Sequence, residues 1–149
     1  MSDALIASET KPHAIIVDID GTVARKGDRD IYDYSKVLLD TPIMPIVRLV
    51  QEIGENREVI FVSGREGVCY SVTSLWLQKN LGFASADAFE LYMRPVGDFR
   101  EDSVVKKEIY RTFIEDDFVI DYVIDDRNSV VKMWRDLGLT VLQVADGDF

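Results

Sequence analysis

The apolar positions of this chain follow two rhythms. Short unbroken runs rich in Ile and Val, at 14–17, 59–62, 88–93, 122–124 and 140–144, predict strands buried on both faces, as in parallel sheets. Between them the apolar residues recur at helical spacing. The stretch 43–53 has Pro42 and Pro45 near its start, where proline is tolerated. The stretch 67–80 closes at Leu81-Gly82. Residues 102–115 place Val104, Val105, Ile109 and Phe113 on one stripe, with Asp102 or Ser103 as the cap. Residues 128–137 place Val130, Val131 and Trp134 together and end at Gly138. Strands alternating with helices predict an α/β fold: a doubly wound, Rossmann-like, mostly parallel sheet of about five strands with helices on both faces.

One interval breaks the rhythm. Residues 23–40 are polar, contain Arg25, Lys26, Arg29, Asp33 and Lys36, and predict an irregular flap over the strand ends. Lys26 and Lys36 read best as solvated side chains. No repeat or linker divides the 149 residues, so a single domain over 1–149 is expected, with 1–11 as a flexible arm. That arm carries Asp3 and Glu9 and lacks the positive flank and apolar core of a secretory signal. No apolar run reaches the roughly 20 residues of a membrane span, so a cytoplasmic protein without a membrane partner is expected. One cysteine, Cys69, excludes an internal disulfide framework and fits a reducing compartment. The net charge of −10 argues against wrapping a duplex backbone, but local cations can still grip a single phosphate.

The chemistry gathers where runs end. The first strand runs into Asp18-Ile19-Asp20-Gly21-Thr22. Alternation along a strand turns Asp18 and Asp20 the same way, at the sheet edge where α/β folds bind ligands. Two like charges held together call for a cation, and Mg2+, which prefers oxygen ligands, is the natural candidate. A strand entering an ordinary Asp-Gly turn is the plainer reading of this segment alone. Two further strand ends repeat the pattern: 59–62 enters Ser63-Gly64-Arg65, and 122–124 enters Asp125-Asp126-Arg127. Lys106 or Lys107 sits near the start of the intervening helix. Each feature is weak alone; the ordered set is specific.

On these residues the chain resembles the haloacid dehalogenase-like (HAD) phosphatases, whose first motif is Asp-x-Asp-Gly-Thr. More narrowly it resembles the 3′-phosphatase domain of phage-type polynucleotide kinase/phosphatase. That narrower likeness rests on Lys11-Pro12, Arg29 with Tyr32-Asp33, Val62-Ser63-Gly64-Arg65-Glu66, Asp102-x-Val104-Val105-Lys106 and Ile124-Asp125-Asp126-Arg127. It continues through Val131-x-Met133-Trp134-Arg135 and the tail Gln143-Val144-Ala145-x-Gly147-Asp148-Phe149.

The resemblance implies roles. Asp18 is the nucleophile, and Asp20 the general acid and then base. Asp18, Asp20 (through its main-chain carbonyl), Asp125 and Asp126 hold Mg2+. Thr22, Ser63 and Lys106 hold the phosphoryl group, while Arg29, Arg65 and Arg127 grip the terminal phosphate or its neighbour. Asp33 orients Arg29 or touches substrate. The implied reaction removes the 3′-phosphate from DNA or RNA ends, or from nucleoside 3′-phosphates, through an aspartyl-phosphate. The chain has no Gly-x-x-x-x-Gly-Lys-Ser/Thr loop, so kinase activity is expected to be absent, with a separate kinase or ligase as partner. The short intervals around Ser63 leave room for only a minimal cap. The alternatives are a nucleotidase or small-metabolite phosphatase of the same fold, and a noncatalytic module that binds nucleic-acid ends. His13 is expected at the wrong sheet edge for catalysis, and Trp76, Trp134 and the Phe residues in the core.

Overall fold

The run His13–Val17 forms β1, the middle strand of a five-stranded sheet, and both of its faces are covered. In the computed structural model, which describes residues 10–30 and 32–149, two very short strands follow, β2 (Ala24–Arg25) and β3 (Thr41–Pro42). Then come α1 (Met44–Ile53), β4 (Glu58–Glu66), α2 (Tyr70–Leu81) and β5 (Glu90–Arg94). The chain ends with α3 (Asp102–Ile109), β6 (Val119–Asp125), α4 (Asn128–Asp136) and β7 (Val141–Gln143). The main sheet is all parallel in the order β5-β4-β1-β6-β7. This is the doubly wound α/β architecture that the alternating rhythm predicts. Most of the expected N-terminal arm, residues 1–9, lies outside the described residues.

Period-two alternation divides the core. Ile15, Val17, Val59 and Phe61 pack toward Val47 and Val50 of α1 and Trp76 and Leu77 of α2. Ala14, Ile16, Ile60 and Val62 face Val105 and Ile109 of α3 and Val130, Val131 and Trp134 of α4. Both tryptophans are buried, as their helical spacing predicts. No helix among the described residues is long and apolar enough to cross a membrane.

Several boundaries differ from the sequence expectation. Strand β4 continues through Ser63-Gly64-Arg65 to Glu66, with a register shift against β5 after Ser63. The helix expected over 102–115 is α3 followed by a π-helical turn, Tyr110–Ile114. That turn rotates the apolar stripe, so Tyr110 and Ile114 are buried while Phe113 stays about half exposed, stacked on Tyr92. Neither Asp102 nor Ser103 caps α3; Glu101 occupies the cap position with no side-chain bond, and Asp102 is used elsewhere. Two further phenylalanines depart from the core with Phe113: Phe99 is 85% exposed and Phe149 69%.

The interval 23–40 forms a small flap. Strands β2 and β3 pair antiparallel at its base, and a 3-10 helix, Tyr34–Leu39, lies between them against α2. His13, at the start of β1, bonds Asp121 at 2.9 Å on the edge opposite the strand ends.

Candidate active site

The carboxyl ends of β1, β4 and β6 converge because the three strands are adjacent and parallel. Past β1, Asp18 N–H still donates to Ile124 C=O at 2.9 Å, so the chain stays in register for one residue before it turns. It then folds tightly: the amides of Thr22, Val23 and Ala24 all donate to Ile19 C=O. Gly21 adopts φ +79°, and a Cβ there would lie 2.2 Å from Asp126 Oδ2. Only glycine meets both demands. The turn brings the Thr22 hydroxyl inward, donating to Asp18 at 3.0 Å and to Asp126 at 3.3 Å.

A buried charge cluster fills the space beneath. Lys106, on the second turn of α3 and 2% exposed, donates Nζ to Asp18 Oδ1 at 2.8 Å and to Asp125 Oδ2 at 3.1 Å. Lys107, the competing candidate, is exposed. Trp134 Nε1 donates to the same Asp125 oxygen at 3.4 Å. The other Asp125 oxygen accepts from the amides of Asp126 and Arg127. Strand β6 ends at Asp125, which frees Asp126 from strict alternation. Carboxylate oxygens of Asp18, Asp125 and Asp126 consequently lie within 4.8 Å of one another. The Asp20 side chain stands outside this trio and is about half exposed.

The trio fits a divalent cation. Three buried carboxylates share one ammonium, which leaves negative charge uncompensated among groups largely withdrawn from solvent. Burial, reinforced by Asp125, pushes Asp18 well above the usual carboxylate range, against the pull of Lys106. Burial works the other way on Lys106, but Asp125 and Asp18 outweigh it and hold the ammonium more firmly charged than an ordinary lysine. An all-oxygen donor set of this kind suits Mg2+.

Ser63 is 1% exposed and accepts from Arg65 N–H at 3.1 Å through its hydroxyl oxygen. The Arg65 guanidinium forks onto Asp20 at 2.7 and 2.9 Å and reaches Asp40 at 2.9 Å. Arg29 forks onto Asp40 in turn, at 2.8 and 2.9 Å. Burial disfavours the Arg65 charge, yet Asp20 and Asp40 more than restore it. Asp40 is 4% exposed and its carbonyl accepts from Trp76 Nε1, which anchors the flap on α2.

Asp40 escaped the sequence reading, which gave the orienting role to Asp33. Asp33 instead bonds Ser35 and pairs with Lys36 at the surface. The available signal was electrostatic: two arginines expected side by side need a shared counter-charge, and Asp40 closes the flap that carries one of them. Arg127 stands apart from this group. It donates to Asp102 at 2.8 Å and to Phe149 C=O at 2.8 Å, and stacks on the Phe149 ring. Arg94 holds the other Asp102 oxygen.

Residues 12–149 match a family model described as the polynucleotide kinase PNKP phosphatase domain. A protein of Autographa californica nuclear polyhedrosis virus, named as a bifunctional polynucleotide kinase/RNA ligase, is 32% identical over an alignment of 137 residues that covers 89% of this chain and 19% of that protein. Among solved structures, a chain of a Pnkp1/Rnl/Hen1 RNA repair complex matches with a TM-score of 0.85 and 34% identity, over 94% of this chain and 44% of that one. The chain thus spans less than half the length of either relative. A class C acid phosphatase from Bacillus anthracis, at 17% identity and a TM-score of 0.59, shares the fold.

Proposed function

The chain belongs to the family of polynucleotide kinase phosphatase domains, HAD-type phosphatases, and from that premise we propose that it removes the 3′-phosphate from nucleic-acid ends. The observation that carries this reading is the division of labour between Asp18 and Asp20. Asp18 is buried and fixed by Lys106 and Thr22, while Asp20 is half exposed and aimed by a bidentate Arg65.

Asp18 supplies the nucleophilic oxygen. Its Oδ–P bond forms as the bond from phosphorus to the sugar oxygen breaks, and Asp20 delivers a proton to that oxygen, releasing a 3′-hydroxyl. In the second half Asp20 takes a proton from water, water oxygen bonds to phosphorus, and the aspartyl–phosphorus bond breaks to free phosphate and Asp18. Lys106 and Ser63 face the transferring oxygens, where fixed charge and donors act most strongly because water is excluded. Asp18, Asp125 and Asp126, with the Asp20 main-chain carbonyl, would hold Mg2+, which supplies positive charge to offset that of the phosphoryl group. Arg29 serves through Asp40, keeping Arg65 and hence Asp20 in place.

The flap between β1 and β4 is the only insertion around the site among the described residues, so a polymer end can enter. Lacking a phosphate loop, this chain would not phosphorylate 5′ ends, and the names of its relatives support action beside a ligase. Phosphate release from matched 3′- and 5′-phosphorylated oligonucleotides, with and without Mg2+, tests the reading. Release from the 3′ end in the presence of Mg2+ is expected; turnover of free metabolites alone would establish the small-molecule phosphatase instead.

A further inference from the structure

Two of the surface grooves differ in how far their charges are spoken for. One, of about 410 Å3, is lined by Arg94, Arg100 and Arg127 with Phe149. All three guanidiniums there are committed: Arg94 and Arg127 to Asp102, Arg100 to Asp98 and Glu108. The other, of about 470 Å3, starts at Gly21 and Asp126 and runs between Arg25 and Lys26 of the flap and Val144-Ala145-Asp146 of the tail, over Ile43 and Ile46.

This second groove is built and fixed. Arg25 sits on β2, whose pairing with Thr41 of β3 sets its direction; its neighbour Ala24 is fully buried, so alternation turns Arg25 outward. The Arg25 guanidinium has no hydrogen-bond or ion-pair partner among the described residues. Lys26, by contrast, is tied to Arg29 C=O at 2.5 Å. On the far wall, Val144 N–H donates to Asp125 C=O, which ties the tail to the strand that carries the trio. Apolar side chains line the floor, a single uncommitted guanidinium stands on one rim, and the Asp146 carboxylate on the other can accept from a sugar hydroxyl or base N–H.

Resting on the 3′-phosphatase reading, we infer that this groove holds the terminal nucleoside of the substrate, with Arg25 on the phosphate attached to its 5′ oxygen. The groove shares Gly21 and Asp126 with the centre, so a nucleoside whose 3′-phosphate lies there is led into it. The apolar floor suits a base, and a planar guanidinium suits a phosphodiester. The committed arginines of the other groove would have to abandon carboxylates to do the same.

The test compares KM for a nucleoside 3′,5′-bisphosphate, the corresponding nucleoside 3′-monophosphate and p-nitrophenyl phosphate. The bisphosphate should show a KM about tenfold below the monophosphate, the scale of one charged hydrogen bond at an accessible site. Arg25→Ala should collapse that ratio toward one, and Arg25→Lys should restore part of it. Ala145→Trp, which fills the apolar end, should raise KM for both nucleotides relative to p-nitrophenyl phosphate. A wild-type protein that prefers the bisphosphate, with Arg25→Ala retaining the preference, overturns the groove assignment alone. Equal wild-type KM values for both nucleotides do the same. A wild-type protein that hydrolyses only p-nitrophenyl phosphate overturns the 3′-phosphatase reading and the groove with it.

Discussion

Arg65 bonds Asp40 at 2.9 Å through the same Nη2 that holds Asp20 at 2.7 Å, so one nitrogen joins a buried flap carboxylate to the proposed acid. Asp40 also carries Arg29, and both guanidiniums are almost wholly buried. Replacing Asp40 with Asn would leave two buried cations short of a counter-charge. The expected cost is about 3 kcal/mol of stability, read by denaturant unfolding, because breaking a buried pair costs more than the pair is worth intact. Turnover should fall at least tenfold, and its pH profile should shift as Asp20 loses its orientation. An unchanged profile would remove Asp40 from the proposed mechanism.

Among the described residues, Lys106 is the sole cation bonded to Asp18 and to Asp125. Lys106→Met keeps most of the packed stem and removes the charge, so it should cost stability in the absence of Mg2+, as breaking any buried pair does, and lower kcat by two to three orders of magnitude. Single-turnover phosphate release gives the direct readout. A kcat within a few-fold of the parent would place the charge stabilisation elsewhere.

The carboxylate trio makes a thermal prediction independent of activity. Mg2+ should raise the melting temperature of the wild-type protein in a concentration-dependent way, as any ligand of the native state does. Asp126→Asn should weaken that response, while Asp20→Asn should keep most of it, because the Asp20 side chain lies outside the trio. A response equal in all three proteins would rule out this site for the ion.

Gly147 runs beneath the active strand end. A Cβ there would fall 1.9 Å from Asp126 C=O and 2.6 Å from Arg127 Cα, both backbone atoms with no freedom to yield. Gly147→Ala should therefore displace Asp126 and reduce both Mg2+ response and turnover, whereas Gly138→Ala, with open space around it, should cost only its φ of +87°. Comparing the two by melting temperature and Mg2+ titration separates close approach from backbone strain.

On the opposite edge, Asp121 pairs with Arg57 and His13. Burial alone would raise its carboxyl, but those two partners outweigh it and hold it below the ordinary value. The unfolded chain therefore takes up this proton first as pH falls. The contribution stands above the unfolded carboxylate range, near 4, and disappears as pH drops through the lower folded value. Asp121→Asn should melt earlier than wild type at pH 7 and converge with it in strong acid.

Much of this was legible in the chain. The Ile/Val runs and helical stripes located the five strands of the main sheet and the long helices, because burial on both faces leaves little choice of residue, whereas the two-residue strands β2 and β3 fell in or beside a stretch read as irregular. Ser63, Lys106, Asp125 and Asp126 fell together because they lie near the ends or starts of elements whose order brings them to one edge. What stayed hidden depends on contacts with no period. Asp40 belongs to a flap without repeating pattern, and the π turn at Tyr110 moves Phe113 outward through one extra residue per turn. Arg127 was expected at the substrate, but its partner Phe149 is 22 positions away and no local spacing announces such a pair.

The order β5-β4-β1-β6-β7 places the three segments that carry Asp18, Ser63 and Asp125 on the innermost strands, while the flap hangs on two-residue strands. Amide exchange should separate these parts by orders of magnitude, the inner strands exchanging only through global opening and the flap through small local excursions. A local excursion of the flap would therefore leave the Asp18, Asp125 and Asp126 carboxylates assembled on their strands but reach Asp20, whose Arg65 is braced by Asp40 at the flap's end, so the nucleophile is held by the sheet and the acid by the loop.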